Sequence, residues 1–243
     1  MEELLNYQIE SKELREARKD KANTEMLAEQ EQGRKMARKE IRQVYFDAVE
    51  MRLDAARTTE TPFAELLVHF WANHFAISTE KPQVSIFAGH HEFSAIRLNL
   101  MGKFSSLLSA AVLHPAMLTY LDQTSSIGPN SPAALRARER AGRERGLNEN
   151  LAREILELHT LGVRSGYSQA DVTEFARALT GWTVAKESDG GIQRRRPAAR
   201  TEAGDPTFLA NRHEPGVRKI IGRNYPHNGA QQARAVLADL AVH

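Results

Sequence analysis

The chain has 243 residues, of which 41% are hydrophobic, and its 33 basic and 31 acidic side chains leave a formal charge of only +2. This length is sufficient to bury a core, and the near balance of charge argues against a general polyanion binder. Because cysteine is absent, disulfides, thiolate metal sites and a cysteine nucleophile are excluded.

The N-terminus lacks the basic start and apolar run of a secretory signal, and no apolar stretch is long enough to span a bilayer. We therefore expect a soluble protein without a membrane span, cytoplasmic by default.

Residues 1–57 contain no proline and one glycine, and Lys and Arg alternate with Asp and Glu, as is typical of a long, solvated helix. Apolar side chains recur at helical spacing only later, at Ile41, Val44, Tyr45, Ala48 and Met51. The second half should therefore dock on the core, while the first half projects or pairs with another chain. This predicts a projecting charged helix at 1–57, open to self-association, and a helical domain at 58–243.

The next helix starts at Thr61-Pro62 and ends between Ser78 and Pro82. Its apolar residues lie at the i, i+3, i+4, i+7 spacing of a core-facing stripe: Phe63, Leu66, Leu67, Phe70, Trp71 and Phe75. His74 shares that stripe, and His69 and Asn73 lie on its flank.

A third helical region runs from Glu92 to Leu113, is interrupted by Gly102 and ends at His114-Pro115. The ring of His114 is expected to cap a chain end there. His90 and His91 precede this region. Because adjacent side chains point in different directions, we predict that the pair lies in a solvated turn and does not form a metal site.

The segment Gly146–Gly162 is apolar on most of its circumference when placed on a helix, through Leu147, Leu151, Ala152, Ile155, Leu156 and Leu158. Such a helix is normally central, with other helices around it. Glu154 and His159 would then lie in a packed interior, where each needs a partner.

Ser168 and Asp171 have the spacing of a capping box, which opens a helix with Val172, Phe175, Ala176 and Leu179 facing inward. A loop-rich insertion follows at about 185–215, with Arg194, Arg195 and Arg196 inside it. The last stretch, 229–243, is helix-forming with its apolar face barely used. The sequence thus predicts an all-α, irregular multi-helix domain around a buried central helix.

Several strings are similar to a known family: Phe70-Trp71-Ala72-Asn73-His74-Phe75, His114 to Asp122, Gly128-Pro129-Asn130, Gly146 to Gly162, Ala176 to Trp182, and His213-Glu214-Pro215-Gly216. From about 61 to 243 the chain resembles the bacterial domain-of-unknown-function family 1800, as a truncated member. The resemblance implies no established reaction. It also implies that members are often larger, often exported and often encoded beside a sulfatase-like protein, which makes such a protein a possible partner.

The main chemical candidate is a polar set on two apolar helices. If these helices cross, an imidazole and a carboxylate could meet in a low-dielectric pocket, where the carboxylate orients the imidazole and raises its basicity. The candidate catalytic residues are His74, His159 and Glu154, and the candidate ligand-binding residues are His69, Asn73, Asn148, Glu149, Asn150, Arg153 and Glu157.

Three interpretations of this set stay open. It could be a structural network that fixes helix packing, with Arg153 paired to Glu157 and Asn148 as a cap, or a catalytic pocket, or a metal centre. Metal binding is disfavoured because no histidine pair has i, i+4 spacing. Nucleotide-binding and hydrolase motifs are absent, and the arginine clusters lack interleaved aromatics, so no nucleic acid or cofactor is assigned. We expect a binding or assembly module, with an enzyme using a His-Glu general base as the alternative.

Overall fold

The computed structural model describes residues 2–19, 24–141, 146–185 and 202–243. This part of the chain is mainly helical, which confirms the predicted fold class. The helices are α1 (Glu2–Lys19), α2 (Thr24–Thr58), α3 (Pro62–His74), α4 (Pro82–His90), α5 (Phe104–Val112), α6 (Pro115–Tyr120), α7 (Pro132–Ala141), α8 (Asn150–Glu154), α9 (Gln169–Leu179) and α10 (Ala230–Leu240). Two π-helical turns span His91–Ile96 and Ile155–Thr160, and short 3-10 turns span Arg97–Asn99, Gln123–Ser125 and Ala210–Arg212.

Two small antiparallel ribbons accompany the helices. In the first, β1 (Trp182–Val184) pairs with β2 (Pro206–Phe208), and in the second, β3 (Arg218–Ile220) pairs with β4 (Arg223–Tyr225). Sequence reasoning missed all four strands, because three residues are too few to show an alternating pattern.

The segment Gly146–Gly162 contributes to the centre of the core, as predicted. The side chains of Leu151, Ala152, Ile155 and Leu156 are fully buried in the main core, which they share with the inner faces of α5, α6, α9 and α10. The prediction fails for Leu158, which is 58% exposed. The cause is the π-helical turn, in which the amide of Leu161 donates to the carbonyl of Leu156, five residues back, so that later side chains no longer follow the 3.6-residue period.

Both flanking amphipathic helices use their apolar faces. The capping box of Ser168 and Asp171 is present, and the predicted inward residues of α9 are fully buried. In α10, Ala233, Val236 and Leu237 are also fully buried, so the expectation of a barely used apolar face was wrong.

The helices α1 and α2 are antiparallel neighbours, with an ion pair between Arg18 and Glu31 at 2.8 Å near their junction. At the other end, Leu4 and Ile41 are buried in a second apolar cluster with Ile86 and Phe87 of α4. A Cβ atom on Gly89 would lie 2.5 Å from the Cβ of Ala48, so a glycine is needed where α4 crosses α2.

Part of the predicted loop insertion, including Arg194, Arg195 and Arg196, lies outside the described residues. Its remainder, 202–215, contains β2 and the 3-10 turn Ala210–Arg212. Among the helices described, none combines the length and apolar character needed to cross a bilayer.

Candidate functional site

Helix α3 exposes apolar side chains that the sequence pattern assigned to the core. Phe63, Leu66 and Phe70 are 71%, 67% and 58% exposed, whereas Glu65 and Val68 are buried. The predicted core-facing stripe is therefore wrong for these three residues. The exposed set Phe63, Leu66 and Phe70 is called the α3 stripe below.

The inward position of Glu65 explains this orientation. Its two carboxylate oxygens accept hydrogen bonds from Arg97 at 2.6 and 2.7 Å, and Arg97 also donates to Glu92 at 2.9 Å. Arg52 of α2 completes the group through an ion pair with Glu92 at 3.1 Å. The hydrogen bonds from Arg97 lower the pKa of Glu65, so the carboxylate stays charged inside the protein.

His69, a predicted ligand-binding residue, closes this group into a ring. Arg52 donates to Nδ1 of His69 at 2.8 Å, so the ring proton resides on Nε2, which faces Glu65 at 3.5 Å. The charge ring of Arg52, Glu65, His69, Glu92 and Arg97 thus ties α2, α3 and the first π-helical turn together. Its charged groups are paired with one another, although the buried Nε of Arg97 has no hydrogen-bond partner among the described residues. This is the arrangement of a structural clamp.

The structure brings together the two predicted catalytic histidines. The rings of His74 and His159 are 6.0 Å apart, and Nε2 of His74 lies 3.1 Å from the carbonyl oxygen of His159. His159 is buried against Phe75, and burial lowers its pKa to about 4. Its Nδ1 has no hydrogen-bond partner in the described part of the chain.

Glu154, the third predicted catalytic residue, is only partly buried and makes no hydrogen bond or ion pair with His74 or His159. Partial burial, followed by the charge of Glu157, raises its pKa. The carboxylate therefore does not orient either imidazole in this structure. The catalytic assignment stays a prediction.

The remaining predicted binding residues lie in two regions, the junction of α8 with α9 and a cleft beside α3. Glu149 accepts hydrogen bonds from Thr173 at 2.6 Å and Gln169 at 2.7 Å, and Arg153 joins Glu149 and Glu157 at 3.3 Å each. This satisfied cluster joins α8 to α9. Near it, Oδ1 of Asn148 accepts from the amide of Asn150 at 2.9 Å, as a cap would.

Asn73 is exposed and lines a cleft of about 290 Å³ between α2, α3 and α4.

Three further histidines form a second group near the C-terminal end of α4. The ring of His91 lies 5.0 Å from that of His114, and Nδ1 of His90 lies 2.9 Å from Nε2 of His114. His91 and His114 are buried, and burial lowers their pKa values to about 4 and about 2. The expected solvated turn is therefore wrong for His91. The predicted capping role of His114 is confirmed, because its Nδ1 accepts from the amide of Ala116 at 3.1 Å.

The histidines were visible in the sequence, but their convergence was not, because they come from four segments far apart along the chain. Both π-helical turns carry a buried histidine, and such turns often mark functional positions, but no sequence pattern announces them, so this convergence has no signal in the sequence. No set of three or more His, Asp or Glu side chains within the described ranges could hold a metal ion.

A second buried junction joins three of the sequence strings noted above. Glu214 accepts hydrogen bonds from the amide of Asn130 at 2.8 Å and from its side chain at 2.6 Å, and the hydroxyl of Thr180 accepts from the amide of Glu214 at 2.8 Å. A Cβ atom on Gly128 would lie 2.6 Å from the backbone of Glu214, so this string must begin with glycine. The junction fixes loops and is fully paired.

The fold and these sites define a mainly helical protein with a histidine-rich interior and an apolar stripe on its surface. The chain belongs to the family described as "Protein of unknown function (DUF1800)", whose model matches residues 1–243. The match includes α1 and α2, which precede the strings that carried the resemblance. Comparison with the curated proteins and with the solved structures finds no match.

Proposed function

We propose that the protein is an assembly module in which the α3 stripe of one copy packs against the α3 stripe of a second copy. The observation that supports this is the exposure of Phe63, Leu66 and Phe70 on one face of a helix whose buried face carries a glutamate. Burying an exposed side chain of this kind is worth about 1.5–3 kcal/mol, so a partner that covers all three gains several kcal/mol.

The composition of α3 suits an apolar partner. Glu65 is the only acidic or basic residue of α3 other than its two histidines, and it is buried and paired with Arg97. Two copies of this face can therefore meet without bringing like charges together or removing an unpaired charge from water.

The spacing of the stripe makes it self-complementary. Phe63, Leu66 and Phe70 follow at three and four residues, with leucine in the middle. In an antiparallel pair of helices related by a two-fold axis, Leu66 would face Leu66 of the second copy, and Phe63 would face its Phe70. Each copy supplies the same surface, as a closed dimer requires.

We assign self-association to α3 and not to α1, because Leu4 and Leu14 of α1 are already buried. The enzymatic alternative has less support, since a general base needs an oriented imidazole and Glu154 contacts neither His74 nor His159. A sulfatase-like protein remains a proposed further partner, as suggested by the family resemblance.

Disulfide cross-linking tests the arrangement directly, because the chain has no cysteine of its own. Leu66→Cys should form a covalent dimer on mild oxidation, since the two copies of residue 66 meet at the axis. Phe63→Cys alone should cross-link poorly, but an equimolar mixture of Phe63→Cys and Phe70→Cys should give the heterodimer.

Val217→Cys is the matched control, because Val217 is 58% exposed and lies next to β3, away from α3. It should stay monomeric under the same oxidation. Equal cross-linking of Leu66→Cys and Val217→Cys would contradict the proposed pairing, and so would efficient cross-linking of Phe63→Cys by itself.

A further inference from the structure

A second cleft, with a volume of about 650 Å³, lies beside the C-terminal end of α4. Side chains of α2, α4, α5, β1, β2 and α10 line it, and most are apolar, including Ile86, Phe87, Leu113, Pro115 and Trp182. Its size and lining are those of a pocket for a small molecule, which typically occupies 300–1,000 Å³.

A hydrogen-bond donor is fixed on one wall of this cleft. The amide of Ala116 can only donate, so Nδ1 of His114 accepts, and the proton of neutral His114 resides on Nε2. That proton is donated to Nδ1 of His90 at 2.9 Å, which leaves the proton of neutral His90 on Nε2. No acceptor for Nε2–H of His90 lies within the described part of the chain, and because His90 is exposed, this donor is available to a ligand.

Ser94 does not alter this assignment. Its hydroxyl donates to the carbonyl of His90 at 2.6 Å, so its 3.1 Å approach to Nδ1 of His90 supplies no second proton. Trp182 contributes another donor on a lining residue, since its buried Nε1–H has no acceptor within the described part of the chain.

The charged lining residues disfavour a charged ligand. Glu202 and Asp205 outnumber Arg234, whose guanidinium lies 5.0 Å from the centre of the Trp182 ring, so an anion would face net repulsion. A cation would meet the fixed donor of His90 and the guanidinium of Arg234. An uncharged molecule with an acceptor oxygen avoids both penalties.

We infer that this cleft binds an uncharged, mainly apolar molecule that carries a carbonyl or similar acceptor oxygen, which receives the hydrogen bond from Nε2 of His90. The site is independent of the α3 stripe. It uses the histidine pair as a positioned donor, which is a binding role and not a catalytic one.

Prodan, an uncharged naphthalene ketone whose emission moves to shorter wavelength in an apolar site, serves as the probe. Saturable binding with a blue shift is expected, and 2-decanone should displace the probe at lower concentration than decanoate does. Absence of saturable binding, or stronger displacement by decanoate, would overturn the inference.

Two variants locate the bound probe. Ala110→Phe places a larger side chain in the cleft and should weaken binding at least tenfold, while His90→Phe keeps the site apolar, removes the donor and should weaken binding about tenfold. His90→Phe changes an exposed residue, at the loss of the hydrogen bond from Nε2 of His114, and provides a second test if Ala110→Phe does not fold. Leu66→Glu, on the α3 stripe, should bind as the wild type does. Loss of binding in Leu66→Glu, or unchanged binding in His90→Phe, would contradict the assignment.

Discussion

Glu65 and Arg97 are joined by two parallel hydrogen bonds of 2.6 and 2.7 Å on the buried side of α3. This pairing fixes the rotation of the helix, since Glu65 can face inward only if Phe63, Leu66 and Phe70 face outward. A bidentate arginine–carboxylate pair is among the stronger polar interactions in proteins, and this one is reinforced by Glu92. The exposed apolar stripe is thus a consequence of a buried ion pair.

Breaking that pair should destabilise the fold. Glu65→Gln leaves the guanidinium of Arg97 without its main partner and is expected to cost about 1.5–3 kcal/mol in the free energy of unfolding, measured by urea denaturation. Asp54→Asn removes one partner of the exposed Arg57–Asp54 ion pair and should change stability by less than about 0.5 kcal/mol. Equal effects of the two substitutions would show that the charge ring does not clamp α3.

Acidification should destabilise the protein through its buried histidines. The pKa values of His91, His114 and His159 lie at about 4, about 2 and about 4, below the ordinary 6.5, and that of His213 is lowered too. The unfolded chain therefore takes up protons first. This contribution to stability is complete above about pH 6.5 and is lost as the pH falls toward the folded-state pKa values.

Each such histidine adds at most about 1.4 kcal/mol per pH unit to the slope of the free energy of unfolding against pH. Urea denaturation between pH 7.5 and pH 5 measures this slope. His114→Asn removes one titrating ring, while the amide oxygen of asparagine can still accept from the amide of Ala116. The free energy of unfolding of this variant should therefore depend less steeply on pH, by the contribution of one histidine. A slope unchanged by this substitution, or a wild type more stable at pH 5, would be incompatible with a neutral buried His114.

Glu154 distinguishes a catalytic pair from an unpaired carboxylate. Because partial burial raises its pKa, the charged form is disfavoured in the folded protein, and Glu154→Gln should leave stability at pH 7 unchanged or raise it slightly. The pKa of His159, followed by NMR, should not move by more than a few tenths. A loss of stability together with a fall in the pKa of His159 would instead indicate a His–Glu pair.

The crossing of α2 and α4 depends on Gly89. In Gly89→Ala the new methyl group would lie 2.5 Å from the Cβ of Ala48, so the helices must separate, at a cost of about 1–3 kcal/mol. Gly146→Ala is the control, since a Cβ there has no neighbour within 4 Å among the described residues. Thermal unfolding of both variants checks this, and a Gly89→Ala protein as stable as Gly146→Ala would contradict the close approach.

The sequence predicted those elements whose local signals agree with their packing. Helix α9 has a capping box and one apolar face, and Leu151 and Ile155 lie in a segment that is apolar nearly all round. Local pattern and tertiary environment point the same way there, so prediction from periodicity succeeded.

The remaining features depend on partners distant in the chain. Nothing near Glu65 in sequence shows that Arg97 will draw it inward, so the α3 stripe was assigned to the core. The exposure of Leu158 follows from a π-helical turn, which has no recognised sequence signal. The sequence placed His74 and His159 on two apolar helices that could cross, but the meeting it suggested was that of an imidazole with Glu154. The approach of His74 to His159, like that of His90 to His114, comes only from the fold.

Sedimentation equilibrium of the wild-type chain and of Leu66→Glu tests the central claim most directly. Leu66 is 67% exposed in the single chain, so glutamate there should not affect folding, but it would place two like charges at the centre of the proposed interface. The account predicts a reversible wild-type dimer at micromolar concentrations and a folded, monomeric Leu66→Glu. A wild type that stays monomeric to high concentration, or a Leu66→Glu variant that dimerises equally well, would contradict it.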